Sequence, residues 1–425
     1  MRYFVTIWML GVSLSFAQDT ILPPVTLKDC YQMAVKQSET IAINDELIRQ
    51  AEALYKEAKG TSLPEVYFGY DSTWQDKPNT ATATPGTFFI SPQTNTKIGA
   101  RKSLFTGYRE LAAIKSGSNF VGQRKDEKNR ALQLLLNDVA IAFYGTLQSE
   151  ADLAIIEKDL KLLQDRLKET RQRANIGRSR AADVPALESQ VHTLEAQQLE
   201  SQRLVGAQRD LLSFYTGQSM NRELQPSIVQ GTNIESLPTF VSHVVNRPDL
   251  QAQENAVDVS KAIVQSERSK HFPTLDLSAN YYLDRKGFRE DVNWDAALVL
   301  EFPIWQWGAT KSAVSAAQSD YHQQQLLARQ IQRQAEINVQ TAYNNVLSLR
   351  QQNEIYEKAG EAARKEHAQT VKDYRSGLVT TFDVLESMDR LYQTEKALNL
   401  AVLNARLAEL NLRIAAGYQP EEILQ

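Results

Sequence analysis

Cysteine is almost absent from this chain of 425 residues: Cys30 is the only one. A disulfide within the chain is therefore excluded, and Cys30 reads as a small, buried apolar residue. The five histidines, His192, His243, His271, His322 and His367, are scattered without the spacing of a metal site. There is no glycine-rich phosphate loop and no nucleophile elbow. The chain thus reads as no enzyme, with no catalytic residue, no cofactor and no bound metal, and energy for any transport has to come from a partner. Charge of one sign is lacking too. The 47 basic and 51 acidic residues are interleaved and leave a net charge of −4, so no nucleic acid partner is expected. Beyond the N-terminus, no apolar run reads as long enough for a transmembrane helix. Glycine is scarce at 18 residues, and Gln, Ala, Leu, Glu, Lys and Arg, all helix formers, fill the long stretches.

The N-terminus is what is left of long hydrophobic runs. Met1-Arg2 leads into an apolar stretch from Tyr3 to Phe16 that ends in Ser15-Phe16-Ala17. This is the pattern of a secretory signal peptide over residues 1–17, cleaved before Gln18. The other reading is a buried N-terminal helix. Cys30 lies well past the cleavage point, so the lipid-anchor arrangement is missing.

The mature part, 18–425, is written twice. Ala174-Asn175-Ile176-Gly177 followed by Asp183-Val184 returns as Tyr374-Arg375-Ser376-Gly377 followed by Asp383-Val384, 200 residues on. The same offset joins Val139-Ala142-Phe143 to Val339-Ala342-Tyr343, and Tyr215-Thr216-Gly217 to Ala415-Ala416-Gly417. An insertion inside a packed helix would rotate every later residue off its face, so a register held this long implies matched helices in two structural copies, over 26–217 and 236–417. Such a chain suggests a pseudo-symmetric object that closes into a ring or tube when chains assemble.

Each copy has the same order of elements. Thr26 or Asp29 is placed to cap a helix running to about Lys59-Gly60, and its counterpart starts near Asn246-Arg247-Pro248-Asp249 and ends by His271. Pro64 then opens a period-two pattern in which Val66, Phe68 and Tyr70 alternate with Tyr67, Gly69 and Asp71. A polar loop is expected over 76–86, and a second strand over Thr96 to Leu104. In the second copy Leu275, Leu277, Ala279, Tyr281 and Leu283 share one face. A turn at Asp284-Arg285-Lys286-Gly287 leads to a return strand with Val292, Trp294, Ala296, Leu298, Leu300 and Phe302 on the same face. Asp276, Ser278, Asn280, Asn293, Asp295 and Glu301 lie opposite. Strand regions are thus expected over about 64–104 and 273–304.

A long helix follows each hairpin, from about Arg109 to Arg173 and from about Lys311 to Lys372. Leu132, Leu136, Val139, Phe143 and Leu147, then Ile156, Leu160, Leu163 and Leu167, recur at steps of three or four, as in coiled coils. Each helix would be roughly 100 Å long at about 1.5 Å per residue, more than a small globular domain spans. Each stops at a glycine turn, Gly177 or Gly377. Returning helices start at Asp183 or Asp383 and end at Gly217 or Gly417. These are about half as long, so the opening helix is expected to fill the other half of a composite rod.

Strands with an apolar outer and a polar inner face match a membrane β-barrel, and open edges are not allowed in lipid. Four strands are too few to close, whereas three chains would bring twelve. A soluble sandwich is the competing reading of the same alternation. Tyr67, Phe68, Tyr70, Trp74, Tyr281, Tyr282 and Trp294 are candidates for interfacial girdles, and Trp305 and Trp307 for girdle or junction packing.

With these features the chain resembles the TolC-like outer-membrane efflux protein family. The resemblance rests on the doubled helix–hairpin–long helix–Gly turn–helix unit. It rests also on the segments from Tyr374 to Glu386 and from Leu300 to Gly308. It implies a mainly α fold with a small β part, in which a homotrimer forms a long α-helical barrel and a transmembrane β-barrel of twelve strands, four per chain. It implies a passive export duct of a tripartite efflux or type I secretion system, placed in the outer membrane and extending into the periplasm. The implied partners are a periplasmic adaptor (membrane fusion protein), an inner-membrane pump and outer-membrane lipid. In such a trimer Asp383 and Glu386, three apart on one helix face, would form carboxylate rings at the constricted periplasmic entrance, which favour cations. Asp-x-x-Glu also reads as a helix capping box. Tyr374 and Asp183 match two positions of the family's closing contacts. The basic partner expected two residues after the second glycine is Val379 here, and Arg180 in the other turn is the substitute, although Arg178 and Arg180 also read as solvated charges. The tips Gly177-Arg178-Ser179 and Gly377-Leu378-Val379 are the implied adaptor contacts. The connector 218–235 and the residues from Gln419 onward are expected to form a belt at mid-tunnel. A periplasmic helical-hairpin adaptor and a coiled-coil scaffold remain the alternatives, and the amphipathic strands and matched glycine turns speak against both.

Overall fold

The computed structural model describes residues 23–74, 93–177, 179–226, 234–286 and 290–424. The expected signal peptide, the polar loop 76–86, Arg178 and Gly287 lie outside them. The chain opens with α1 (Leu27–Gln37) and α2 (Glu39–Gly60). The single opening helix expected from the sequence is thus two. Ser38 leaves the helical region (ψ 114°), which ends α1, and its hydroxyl accepts from the Ile41 amide at 3.4 Å, which caps α2. Thr26 and Asp29 form a reciprocal capping box on α1.

Next come β1 (Glu65–Thr73), β2 (Gln93–Phe105), α3 (Arg109–Asn175), α4 (Asp183–Thr216) and α5 (Leu237–His243). They are followed by α6 (Pro248–Ser269), β3 (Thr274–Lys286), β4 (Trp294–Glu301), α7 (Ala309–Arg375), α8 (Thr381–Ala416) and α9 (Pro420–Ile423). Asp284, Arg285 and Lys286 continue β3 rather than turning, because they still pair with Thr96, Asn95 and Thr94 of β2. Both α3 and α7 have 67 residues, about 100 Å of helix.

The helices lie side by side as four rods. Lys128 of α3 pairs with Asp45 of α2 at 2.6 Å, and Arg209 of α4 with Glu150 of α3 at 2.5 Å. So α2 covers the first part of α3 and α4 the rest. On the other side of α3, Asn255 of α6 donates to Asp126 at 2.9 Å and Asn399 of α8 to Asp152 at 2.8 Å. The outer rod α7 then packs on α6 and α8, with Gln253 donating to Gln324 at 2.9 Å and Arg350 to Glu409 at 3.1 Å. The order is α2 with α4, then α3, then α6 with α8, then α7.

Two apolar cores lock the middle of these rods. One joins Leu27, Cys30, Tyr31 and Ala34 of α1 to Leu136, Val139 and Phe143 of α3 and Leu410 of α8. The other joins Phe240 of α5 to Val339 and Val346 of α7 and Leu412 of α8. Val139 and Val339, 200 residues apart, are both fully buried, as are Leu212 and Leu412. Connector and C-terminal segment wrap this level: Val25 bridges to Leu224, Tyr418 stacks on His243 at 4.4 Å, and Ile423 enters the first core. One expectation is corrected here. By length and composition alone, α3 is apolar enough to cross a membrane. Within it, Leu136, Val139 and Phe143 are buried against α1 and α8, while Leu134 and Ile141 stay exposed.

The four strands form one antiparallel sheet in the order β1-β2-β3-β4. Apolar side chains line up across it: Phe68 faces Ile98, Ile98 faces Tyr281, and Tyr281 faces Trp294. Phe68 is 67%, Tyr281 57% and Trp294 68% exposed, so this face has no cover among the described residues. The opposite face carries a hydrogen-bonded row. Tyr67 Oη donates to Asn280 at 2.9 Å, Asn280 to Asp295 at 2.9 Å, and Tyr282 Oη to Asp295 at 2.6 Å. Gly99 makes room for it, since a Cβ there would lie 2.4 Å from the Tyr67 ring. Tyr67 and Tyr282 therefore belong to the polar face and not to the apolar girdle. Trp305 and Trp307, 72% and 88% exposed and in edge contact at 5.7 Å, are not junction core.

Leu136→Ala should lower stability by about 2–5 kcal/mol by opening a cavity in the mid-rod core. Leu378→Ala at an exposed turn should change it by less than about 0.5 kcal/mol. Denaturant unfolding in detergent, followed by helical circular dichroism, compares the two.

Candidate functional site

The far end of the rods, away from the sheet, brings both glycine turns together. After α3, the chain passes through Ile176 to Gly177, whose φ of +73° a residue with a Cβ adopts only under strain. After α7, Gly377 does the same at φ +77°, and the Leu378 amide bonds back to the Asp373 carbonyl at 2.9 Å, which closes a Schellman-type end.

Each turn then starts its returning helix with a carboxylate. Asp183 accepts from the Ser179 hydroxyl at 2.9 Å and the Arg180 amide at 3.1 Å. Asp383 accepts from the Thr380 amide and the Thr380 hydroxyl, both at 2.6 Å, while Thr380 caps α8. The capping box is thus Thr380 with Asp383, one register earlier than the Asp383-x-x-Glu386 reading. Glu386 is left outside it and pairs with Arg390 at 3.0 Å on the exposed helix surface. The Thr380 hydrogen bonds, then the Arg180 guanidinium across the tip, hold the Asp383 carboxyl below the usual range. Arg180 is therefore in electrostatic reach of Asp383.

Between the turns stands a residue the sequence reading missed. Thr381 Oγ1 lies 3.4 Å from Tyr374 Oη and 3.4 Å from Asp183 Oδ2. A hydroxyl carries one proton, so a chain in which Tyr374 donates to Thr381 and Thr381 to Asp183 satisfies both contacts. Both are long for hydrogen bonds and so individually weak. Tyr374 is buried, and its ring faces two α3 guanidiniums, Arg166 at 4.9 Å and Arg173 at 4.8 Å. Glu169 pairs with both, at 2.8 and 2.9 Å. The spacing of seven between Arg166 and Arg173 puts them on one helix face and could have signalled this. Nothing in the sequence marked Thr381, whose counterpart 200 residues earlier is Ala181.

Tyr374 and Asp183 are thus joined through Thr381, the Arg180 amide donates to Asp183, Asp383 bonds within its own turn, Glu386 stands to one side, and Val379 is half-buried beside the cap. Leu378 is 75% exposed, joined by Phe382 at 71% and Ile176 at 67%, so the tip presents bare apolar side chains. Gly177 and Gly377 are exposed and Ser179 partly so. Among the described residues no group of three potential metal ligands occurs.

A family model described as outer membrane efflux protein matches residues 30–218 and 242–418. Outer membrane protein TolC of Escherichia coli K12 is 22% identical over 87% of this chain and 77% of its own length. Alkaline protease secretion protein AprF of Pseudomonas aeruginosa is 23% identical over 100% of this chain and 91% of its own. Other relatives are spanned over only about half their length, such as SepC of Pseudomonas putida at 49%. The crystal structure of VceC from Vibrio cholerae has the same fold, with a TM-score of 0.81 at 16% identity over 92% of this chain and 96% of that one.

Thr380→Ala should cost about 1 kcal/mol of local stability at the start of α8. Amide exchange at the first turn of α8 measures it. Because the Asp383 pKa is depressed in the folded state, its contribution is complete at neutral pH and is lost only as acid protonates the folded carboxyl, below the ordinary Asp range of about 3.9.

Proposed function

The chain belongs to the outer membrane efflux protein family, and from that premise we propose that three copies close into a channel-tunnel that carries cargo passively through the outer membrane. The observation that carries the reading is a double incompleteness. In the sheet, β1 and β4 each have one unpaired edge among the described residues. In the helical layer the α2–α4 rod and α7 each have one free flank. Unpaired backbone groups are not tolerated in hydrocarbon, and four strands cannot close on themselves. Three copies bring twelve strands, four from each, and the same operation joins α7 of one copy to α2 and α4 of the next.

The bare row of Phe68, Tyr281, Trp294, Leu298 and Leu300 then meets lipid, and the row of Tyr67, Asn280 and Asp295 lines water. The helical part is about 100 Å long and extends into the periplasm. No step of catalysis is needed, because a duct lowers no chemical barrier. A periplasmic adaptor and an inner-membrane pump supply engagement and energy; the names of SepC, a probable efflux pump outer membrane protein, and of AprF, an alkaline protease secretion protein, support a pump or secretion partner.

The tip is the gate in this reading. Weak bonds through Thr381 between the two helix pairs suit a latch that must open, and Arg180 takes the basic role that Val379 does not fill. Three copies of Asp383 and Glu386 form the carboxylate rings of the entrance. The apolar side chains Leu378, Phe382 and Ile176 beside Gly177, Arg178, Ser179, Gly377 and Val379 are the adaptor contact.

Light scattering of the particle extracted in detergent should give three chains; a monomer recovered without detergent would overturn the duct. In bilayers with asymmetric salt, Asp383→Asn with Glu386→Gln should lower cation preference, and an unchanged reversal potential removes the ring assignment. Leu378→Asp should weaken cross-linking to the adaptor without changing particle mass.

A further inference from the structure

On α3, about 24 Å from the glycine turns, one oxygen of a buried carboxylate has no hydrogen-bond partner among the described residues. Asp159 is 3% exposed, and its Oδ2 makes no hydrogen bond among the described residues. An unpaired buried carboxylate oxygen is costly and therefore calls for an explanation. Asp159 opens into a cavity of about 120 Å³ where α3, α4 and α8 converge. Leu163, Leu194 and Met388 form its apolar wall, the buried Tyr392 presents its ring, and Asp389 stands exposed at the rim.

No lysine or arginine lines this cavity. The neighbouring cations are engaged elsewhere: Lys158 at 3.4 Å and Arg364 at 3.0 Å both pair with Glu395. Gln190, Thr193, Gln197 and Gln393 also line the cavity, and their oxygens can accept from an ammonium group whose charge the two carboxylates receive and whose short alkyl chain Leu163, Leu194 and Met388 cover. The carboxylate at the floor receives the charge, the ring adds a cation–π contact, and the wall takes the carbons. An engineered apolar cavity of about 150 Å³ takes up benzene, so a few heavy atoms fit here.

We propose that this cavity is a binding site for a small primary alkylammonium ion, with Asp159 as its anchor, Tyr392 as its aromatic wall and Asp389 as its rim charge. Burial pushes the Asp159 carboxyl up to about 6, opposed by Lys158 and reinforced by Glu395, so a cation bound there offsets part of the cost of the buried charge. Bound there, the ion ties α3, α4 and α8 together above the latch. The inference rests on helix packing within one chain and stands whether or not the assembly conducts.

Isothermal titration of the full-length assembly in detergent with butylammonium tests it, with butanol as the uncharged analogue and potassium as the simple ion. One site per chain is expected for butylammonium and none for butanol or potassium. Asp159→Asn, nearly isosteric, should weaken binding by about tenfold or more through loss of a charge-assisted hydrogen bond. Tyr392→Leu, which leaves the carboxylate in place, should weaken it by about threefold. Unaltered affinity in either folded variant, equal binding of butanol or potassium, or no binding to the wild type overturns the proposal.

Discussion

Backbone amides cannot remain unpaired in hydrocarbon, and this constraint governs the molecule more than any single contact does. A sheet of four strands with an uncovered apolar face has two edges it cannot pair alone. The interior must then stay wet, which fixes the second face. There the polar groups satisfy one another across strands, from Tyr67 to Asn280 to Asp295 to Tyr282, and Gly99 is small because the Tyr67 ring crosses it. Closure by copies imposes a shared operation on the helices as well. In the proposed trimer, the four rods, which lie in a row as the strands do, make the same ring at larger length.

The rods solve a length problem. Two of them are single helices of 67 residues, and the others are spliced from shorter pieces. A splice leaves helix ends that need partners. The break at Ser38 is capped by its own hydroxyl, and Gly217 ends α4 at φ +69° against the side chain of Gln37. The joint therefore falls at the level of the first apolar core, where α1, Met220, Leu224 and Ile423 seal it. The most heavily packed part of the wall coincides with its weakest covalent layout.

Much of this was legible as pattern. Period two in Leu275 to Leu283, the heptad-like run from Leu132, and glycines 200 residues apart each follow from backbone geometry, which sequence reports directly. Positions that depend on three-dimensional neighbours were not. Ser38 reads as an ordinary helix residue unless the path of α1 is known. Tyr67 and Tyr282 look like membrane-facing aromatics by composition, yet strand parity and the partners Asn280 and Asp295 put them inside. At the tip, Tyr374 and Asp183 were named from family resemblance, but the atom that joins them belongs to Thr381, across 198 residues of sequence. Thr380-x-x-Asp383 is itself a capping signal, with the same spacing as Asp383-x-x-Glu386, and only the structure separates the two.

The two ends of the wall differ in kind of bond. At mid-length, fully buried side chains such as Leu136, Phe143, Val339 and Leu412 hold helices together by close packing, which is lost all at once or not at all. Towards the tip, the helix pairs meet through a smaller apolar cluster of Leu163, Leu167, Leu187 and Val191 with Leu385 and Met388, and at the very end through one hydroxyl at 3.4 Å and a tyrosine ring between guanidiniums. The hydroxyl and ring contacts at the very end are worth little singly and can be exchanged for water at small cost, whereas the apolar cluster behind them cannot. A wall graded from rigid middle to weakly latched end can open at the end while its core stays packed. The carboxylates of Asp183 and Asp383 keep their cap bonds within their own turns, so the helices can separate there without melting.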